Sequence, residues 1–146
     1  MTKILVTGGA GNVGGSLAKA LVENANYEVV VVDSLRTGNA SKLPSNRKGN
    51  FTFIKCDVNN FSDISAIMVS WKFDYVFHYA ALVGVKRTLD NPIEVLDDID
   101  GIKNILSLAK NTGVKRLFFS SSSEVYGEPV EFPQNEHTTP LNSRLP

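Results

Sequence analysis

The stretch Ile4-Leu5-Val6-Thr7-Gly8-Gly9-Ala10-Gly11-Asn12-Val13-Gly14 decides the fold. It passes from an apolar run into clustered glycines and then into a helical pattern, so it reads as strand, tight turn and helix start. Glycines allow positive φ and let a phosphate approach backbone amides with no Cβ in the way. The first N–H groups of the following helix, at the positive end of its dipole, then face an anion. Such a turn suits a dinucleotide pyrophosphate. A second apolar run, Val29–Val32, ends in Asp33. It lies about 20 residues beyond the glycines, where an acidic side chain can accept hydrogen bonds from an adenosine ribose. The two signals together indicate a Rossmann-type site.

At 146 residues the chain is read as one domain with a real core. Lys plus Arg and Asp plus Glu are both 15, so no basic excess points to nucleic acid. The single Cys56 has no partner for an internal disulfide and suits a reducing compartment. A strand beginning near Lys3 leaves no room for a signal peptide, and Val29–Val32 is too short to span a bilayer. The expectation is a soluble cytoplasmic protein. With one Cys and only His78 and His137, no metal constellation is expected.

The remaining pattern alternates strand and helix. Strands are expected at 3–7, 28–32, 51–56, 73–78 and 115–120. Helix 13–24 carries Val13, Leu17, Ala20 and Leu21 on one face, and 62–70 carries Ile64, Ile67 and Met68. One long helix is expected from Pro92 to about Asn111, with Ile93, Leu96, Ile99, Ile102, Leu106 and Ala109 at three- and four-residue spacing. Pro92 suits its first turn, and Gly113 suits its stop. Strands such as Val29–Val32 and Leu117–Phe119, apolar on both faces, imply a parallel sheet covered on both sides. The fold expected is a doubly wound α/β sheet of order 3-2-1-4-5. Residues 127–146, with four prolines, read as an extended loop.

The glycine turn, His78-Tyr79-Ala80-Ala81 and Ser120-Ser121-Ser122-Ser123-Glu124-Val125-Tyr126-Gly127 together resemble the extended short-chain dehydrogenases. More narrowly, they resemble the NAD-dependent nucleotide-sugar epimerase/dehydratase family, over Lys3 to Pro146. The resemblance implies that Gly8, Gly11, Asn12, Val13 and Gly14 form the cofactor's pyrophosphate turn. Gly9 also completes a GxGxxG spacing, so spacing alone does not choose a subfamily. Asp33 matches the acid that binds the adenosine ribose, which implies NAD over NADP, because a carboxylate repels a 2′-phosphate. Arg36 is the residue that could accommodate that phosphate instead. By the same resemblance Asp57 and Val58 contact the adenine, although an Asp at a strand end is also a common helix cap. Ala80, Ala81 and Leu82, followed by Val83, would run beneath the nicotinamide-side ribose and phosphates. His78 is read as hydrogen-bonded scaffold.

Ser122 stands four residues before Tyr126, where the family's Ser or Thr hydrogen-bonds the reacting sugar oxygen. A serine run also suits a plain polar turn. Glu124 and Tyr126 are candidates on the substrate side. Glu124 is the carboxylate that a dehydratase or decarboxylase would use, or an exposed loop acid. Tyr126 is a residue of the substrate mouth or an anchor for the loop. The implied partner is a nucleotide sugar (UDP- or dTDP-linked), with no nucleic acid, no membrane, and a homodimer formed through helices that include 92–111.

Two departures from the family stand out. Its N-x-N-G pattern is Asp98-Ile99-Asp100-Gly101 here, which keeps an acceptor at each position and loses an amide donor. Its acid–base pair, Tyr-x-x-x-Lys, would begin at the first position after Pro146. The expectation is therefore the cofactor-binding portion of a nucleotide-sugar epimerase of the UDP-glucose 4-epimerase type, lacking its sixth strand, substrate domain and base, and inactive alone. A dehydratase or decarboxylase, and a non-catalytic NAD-binding module or remnant, are the alternatives.

Overall fold

The computed structural model describes residues 1–45, 48–82, 84–122 and 125–141. Thr2–Thr7 (β1), Tyr27–Asp33 (β2), Phe51–Lys55 (β3), Tyr75–His78 (β4) and Arg116–Phe119 (β5) form one sheet in the order β3-β2-β1-β4-β5. Every neighbouring pair is parallel. This is the doubly wound Rossmann topology expected, with the order reversing between β1 and β4.

The period of two in the strands sorts the core into two layers. Leu5, Val30, Val32 and Val76 point to one face and meet Ile64, Ile67 and Met68 of Phe61–Trp71 (α2) and Ile105 and Leu108 of Ile99–Thr112 (α5). Ile4, Val6, Val29 and Val31 point to the other and meet Ala18 and Val22 of Asn12–Val22 (α1). Full burial of each such Leu, Ile, Val or Met side chain stabilises the fold by about 1.5–3 kcal/mol before conformational entropy is subtracted. At the lower edge of the sheet Asp74 gathers three strands. Its carboxylate accepts from Lys3 N at 2.8 Å and pairs with Lys115 Nζ at 2.8 Å, while its carbonyl accepts from Lys115 N. The Lys115 ammonium, with the Lys3 N–H, holds the Asp74 carboxyl below the usual carboxylate range.

Four helical details differ from the sequence reading. The buried face of α1 is Gly14, Gly15, Ala18 and Val22, and Val13 and Ala20 are exposed. The reason is close approach: a Cβ on Gly14 would lie 2.5 Å from Gly8 O and one on Gly15 3.1 Å from Gly9 O, so glycines take the side pressed against the turn. The expected helix 92–111 is two helices, Pro92–Asp97 (α4) and α5, joined at Asp98. Asp98 keeps right-handed backbone angles, but its carboxylate is bonded outside the helix, as described below. Most of the expected apolar stripe also does not face the core, although Ala109 packs against it. Ile93 and Leu96 are 72% and 73% exposed, while Gly101, Ile105 and Leu108 are buried. A short helix that the sequence did not announce, Val85–Asp90 (α3), precedes them. Pro92 does open α4, and Gly113 does stop α5 with φ +80°.

Nor is β5 covered on both faces. It is an edge strand, and Phe118 and Phe119, which stack on Phe77 and His78 of β4, remain exposed. Among the described residues no helix is long and apolar enough to cross a membrane.

Candidate functional site

The turn after β1 is compressed against the exit of β4. Gly8 has φ +68°, and a Cβ there would sit 2.6 Å from Ala80 N and 2.7 Å from Tyr79 C and O. Only glycine meets both constraints. Gly11 N donates to Gly8 O at 3.0 Å, closing the turn, and Gly11 becomes the N-cap of α1. No side chain caps this helix, and its first turn has no acidic residue. By contrast α2, on the same sheet, has Asn60 accepting from Ser62 N and Asp63 in its first turn. The positive end of α1 is therefore left for an anion, and that of α2 is not.

Asp33 ends β2 and is buried. Its Oδ2 accepts from Ala10 N at 2.9 Å and its Oδ1 from Leu35 N at 2.8 Å. A Cβ on Gly38 would come within 2.7 Å of Oδ1, so that glycine keeps space beside the carboxylate. A carboxylate has about four acceptor directions, so two remain for hydroxyl donors. Arg36, the residue available to a phosphate in the sequence reading, is paired with Glu94 Oε2 of α4 at 2.7 Å, with both side chains exposed.

On the opposite side, His78 is buried at the end of β4 and its Nδ1 is hydrogen-bonded to Thr7 Oγ1 at 2.9 Å; the same Oγ1 accepts from Ala80 N at 3.1 Å. Burial pushes the imidazole down to about 4, with the Asp98 carboxylate pulling partway back. His78 is neutral at pH 7 and serves as the hydrogen-bonded scaffold that the sequence suggested. Cys56 also borders this space. Burial, and then the carboxylates of Asp63 and Asp57, push its thiol up to about 11, so it is no ready nucleophile.

These elements enclose a cleft of about 770 Å³ at the carboxyl ends of the strands. Gly8, Gly11, Asn12, Val13, Gly14, Asp33, Asp57, Val58, Ala80, Ala81 and Leu82 all line it. The structure thus brings these eleven residues to one cleft; Val83, which the sequence reading placed beside Leu82, lies outside the described residues. Ser120 and Ser121 line it too, whereas Ser122 and Tyr126 do not. Ser122 follows β5 at the surface, its carbonyl accepting from Val125 N at 3.3 Å. Tyr126 forms a backbone bridge with Leu141, which favours the loop-anchor reading. Glu124 lies outside the described residues. Sequence reasoning missed Asn59, which lines the cleft, and Asn104 behind it. Asn104 Nδ2 donates to Val58 O at 2.9 Å and Asn59 O at 3.1 Å, fixing the loop after β3 to α5. Among the described residues no group of three or more His, Cys, Asp or Glu is placed to hold a metal.

Residues 4–146 match the family described as the NAD dependent epimerase/dehydratase family. The chain is 34% identical over 145 residues to a putative UDP-glucose 4-epimerase of Methanocaldococcus jannaschii, covering 98% of this chain and 45% of that one. It is 37% identical over 127 residues to a UDP-N-acetyl-alpha-D-glucosaminuronate decarboxylase of Bacillus cytotoxicus, covering 86% of this chain and 38% of the relative. Among solved structures, the UDP-glucose 4-epimerase of Thermus thermophilus in complex with NAD superposes with a TM-score of 0.82 at 29% identity, over 96% of this chain and 44% of that one. The chain thus spans less than half the length of these relatives.

Proposed function

Because this chain belongs to the NAD dependent epimerase/dehydratase family, we propose that its cleft holds NAD for the transient oxidation of a nucleotide sugar. The observation that carries this reading is the convergence of the glycine turn, Asp33 and residues 80–82 on one cleft. The residues fit the group. A Cβ on Gly14 would collide with Gly8 O, the α1 N-terminus carries no competing carboxylate, and the cleft volume is in the range that small-molecule sites occupy. Gly8, Gly11, Asn12, Val13 and Gly14 would hold the pyrophosphate, and Asp33 the adenosine ribose. Asp57 and Val58 would border the adenine, with Ala80, Ala81 and Leu82 along the nicotinamide-side ribose. When bound, NAD supplies an acceptor that takes a hydride and can return it.

Ser122 would align the sugar hydroxyl by hydrogen bonding, on a loop beside the Ser120 and Ser121 that line the cleft. No tyrosine of the 146 residues is followed four positions later by lysine, so this reading assigns none of them the role of proton acceptor. The reading is therefore the NAD-binding portion of a nucleotide-sugar epimerase of the UDP-glucose 4-epimerase type. The decarboxylase relative favours a second reading, in which Glu124 acts as an acid or base on a UDP-sugar acid. The homodimer implied by the resemblance would cover Leu89, Ile93 and Leu96, all exposed here.

Two measurements test the reading. Calorimetric titration of the purified chain is expected to show NAD binding, and no heat at millimolar NAD would overturn the cofactor assignment. A polypeptide extended past residue 146 is expected to convert UDP-glucose to UDP-galactose, whereas the 146-residue chain is not. Release of carbon dioxide from a UDP-sugar acid would select the decarboxylase, and NAD binding with no turnover of any UDP-sugar would select the non-catalytic module.

A further inference from the structure

Position 98, where the sequence departs from the family's asparagine, closes a polar chain between the two walls of the cleft. Asp98 Oδ2 accepts from Leu82 N at 2.6 Å, and Oδ1 accepts from Asn59 Nδ2 at 3.2 Å. The other amide atom of Asn59, Oδ1, accepts from Gly101 N at 2.7 Å, and its backbone N–H donates to Asp57 Oδ1 at 3.0 Å. Leu82 belongs to one wall, with Ala80 and Ala81. Asn59 belongs to the other, with Asp57 and Val58.

This chain of bonds closes only if position 98 offers two acceptors. An asparagine there would turn its NH2 toward either the Leu82 N–H or the Asn59 NH2, donor against donor. Rotating the Asn59 amide by half a turn would only move the conflict, because its NH2 would then face the Gly101 N–H. The contact is too tight to absorb the change: a Cβ on Gly101 would lie 2.9 Å from Asn59 Oδ1. A part-buried donor left facing a donor forfeits its hydrogen bond and keeps its desolvation penalty.

We propose that Asp98 and Asn59 are a matched pair of positioning residues that set the distance between the 80–82 wall and the 57–59 wall. Each requires the other, and together they fix the cleft for NAD; the proposal rests on the reading that this cleft takes NAD. The chemistry also defines a rescue. With aspartate at 59 and asparagine at 98, the residue 59 carboxylate would accept from the Gly101 N–H and from the new amide. The asparagine's oxygen would accept from the Leu82 N–H. The exchange conserves charge, volume and bond count, and reverses only the direction of one bond.

The test is a double-mutant cycle of Asp98→Asn, Asn59→Asp and the exchange, read by NAD titration and by thermal melting of the 146-residue chain. Each single variant is expected to bind NAD about tenfold more weakly, within the coupling range of contacting residues. Asn59→Asp, which sets two carboxylates face to face, is expected to lose at least as much as Asp98→Asn. The exchange is expected to recover affinity to within about threefold of the parent. Single variants that bind like the parent, or an exchange that loses the product of both single losses, would overturn the proposal. Recovery of the melting temperature without any effect on NAD affinity would overturn the positioning role as well. A parent chain that binds no NAD defeats the cofactor reading itself. In that event the melting cycle still decides the pairing, which fails if the exchange melts no higher than the worse single variant.

Discussion

The β1–β2 half of the sheet is buried from Ile4 to Thr7 and from Val29 to Asp33, whereas on the β4–β5 side Phe118 and Phe119 stand in solvent, Phe119 57% exposed. Both halves are parallel, apolar and similar in composition. They differ in cover: α1 closes one face of β1 and β2 and α2 with α5 the other, and β5 forms the open edge. The half bearing the glycine turn and Asp33 has its own completed core. The β5 half carries the serine run, and its aromatic side chains, stacked on Phe77 and His78 of β4, keep an exposed face. Packing is densest where a cofactor would be gripped, and thinnest toward the side where a substrate would be read.

Three experiments would break or sharpen that contrast. The largest effect is expected from Gly8→Ala, which combines a left-handed backbone with a Cβ 2.6 Å from Ala80 N. Urea unfolding should show a loss of about 4 kcal/mol, the sum of backbone strain and overpacking. Gly49 has the same φ of +68° and nothing within 4 Å of its Cβ direction, so Gly49→Ala should lose only about 1 kcal/mol, in keeping with strain alone. Equal losses at the two glycines would show that crowding at the β4 exit does not matter. Next, Leu5→Ala in the completed half should lose about 3 kcal/mol, and Phe119→Ala on the open edge less than about 1 kcal/mol, by the same denaturation assay. Comparable losses would mean that β5 is as tightly integrated as β1.

The third effect is a pH dependence at the junction of the halves. His78 has its folded pKa lowered to about 4 from 6.5 by burial. The unfolded chain therefore takes up the proton first, so this contribution is fully present above pH 6.5 and is lost as the pH falls toward 4. Between pH 8 and pH 5 it amounts to about 2 kcal/mol. His78→Asn, which keeps a polar partner beside Thr7, should flatten that part of the stability curve relative to the parent. An unchanged acid slope would place the titration elsewhere.

Much of this organisation was legible in the sequence, for identifiable reasons. The strands and their order followed from apolar runs spaced by helical patterns. The candidate cofactor residues were read from glycines and acids at strand ends and from the family resemblance, and those among the described residues line the cleft. Helix faces were harder to read. In α1 two of the buried positions are glycines, which hydropathy does not mark as core, and in α4 and α5 Ile93, Leu96, Ile99 and Leu106 of the expected stripe are exposed. Asn59 and Asn104 were illegible because their bonds span 39 to 46 residues and belong to no local pattern. Asp98 was visible as a departure from the family, but the donor that answers it was not.

The placement of β1 has a consequence for how the chain acquires its structure. The strand at the centre of the sheet leaves the ribosome before both of its neighbours, and the later of these, β4, begins at Tyr75. At about 5–20 residues per second of synthesis, Ile4 to Thr7 wait several seconds with one edge unpaired. Closure of that edge is a long-range event joining residues 71 apart, as Thr7 and His78 are, and topologies dominated by such contacts fold slowly. Until β4 arrives, this apolar strand edge is open to any other strand, which makes the interval before residue 78 the period of greatest aggregation risk.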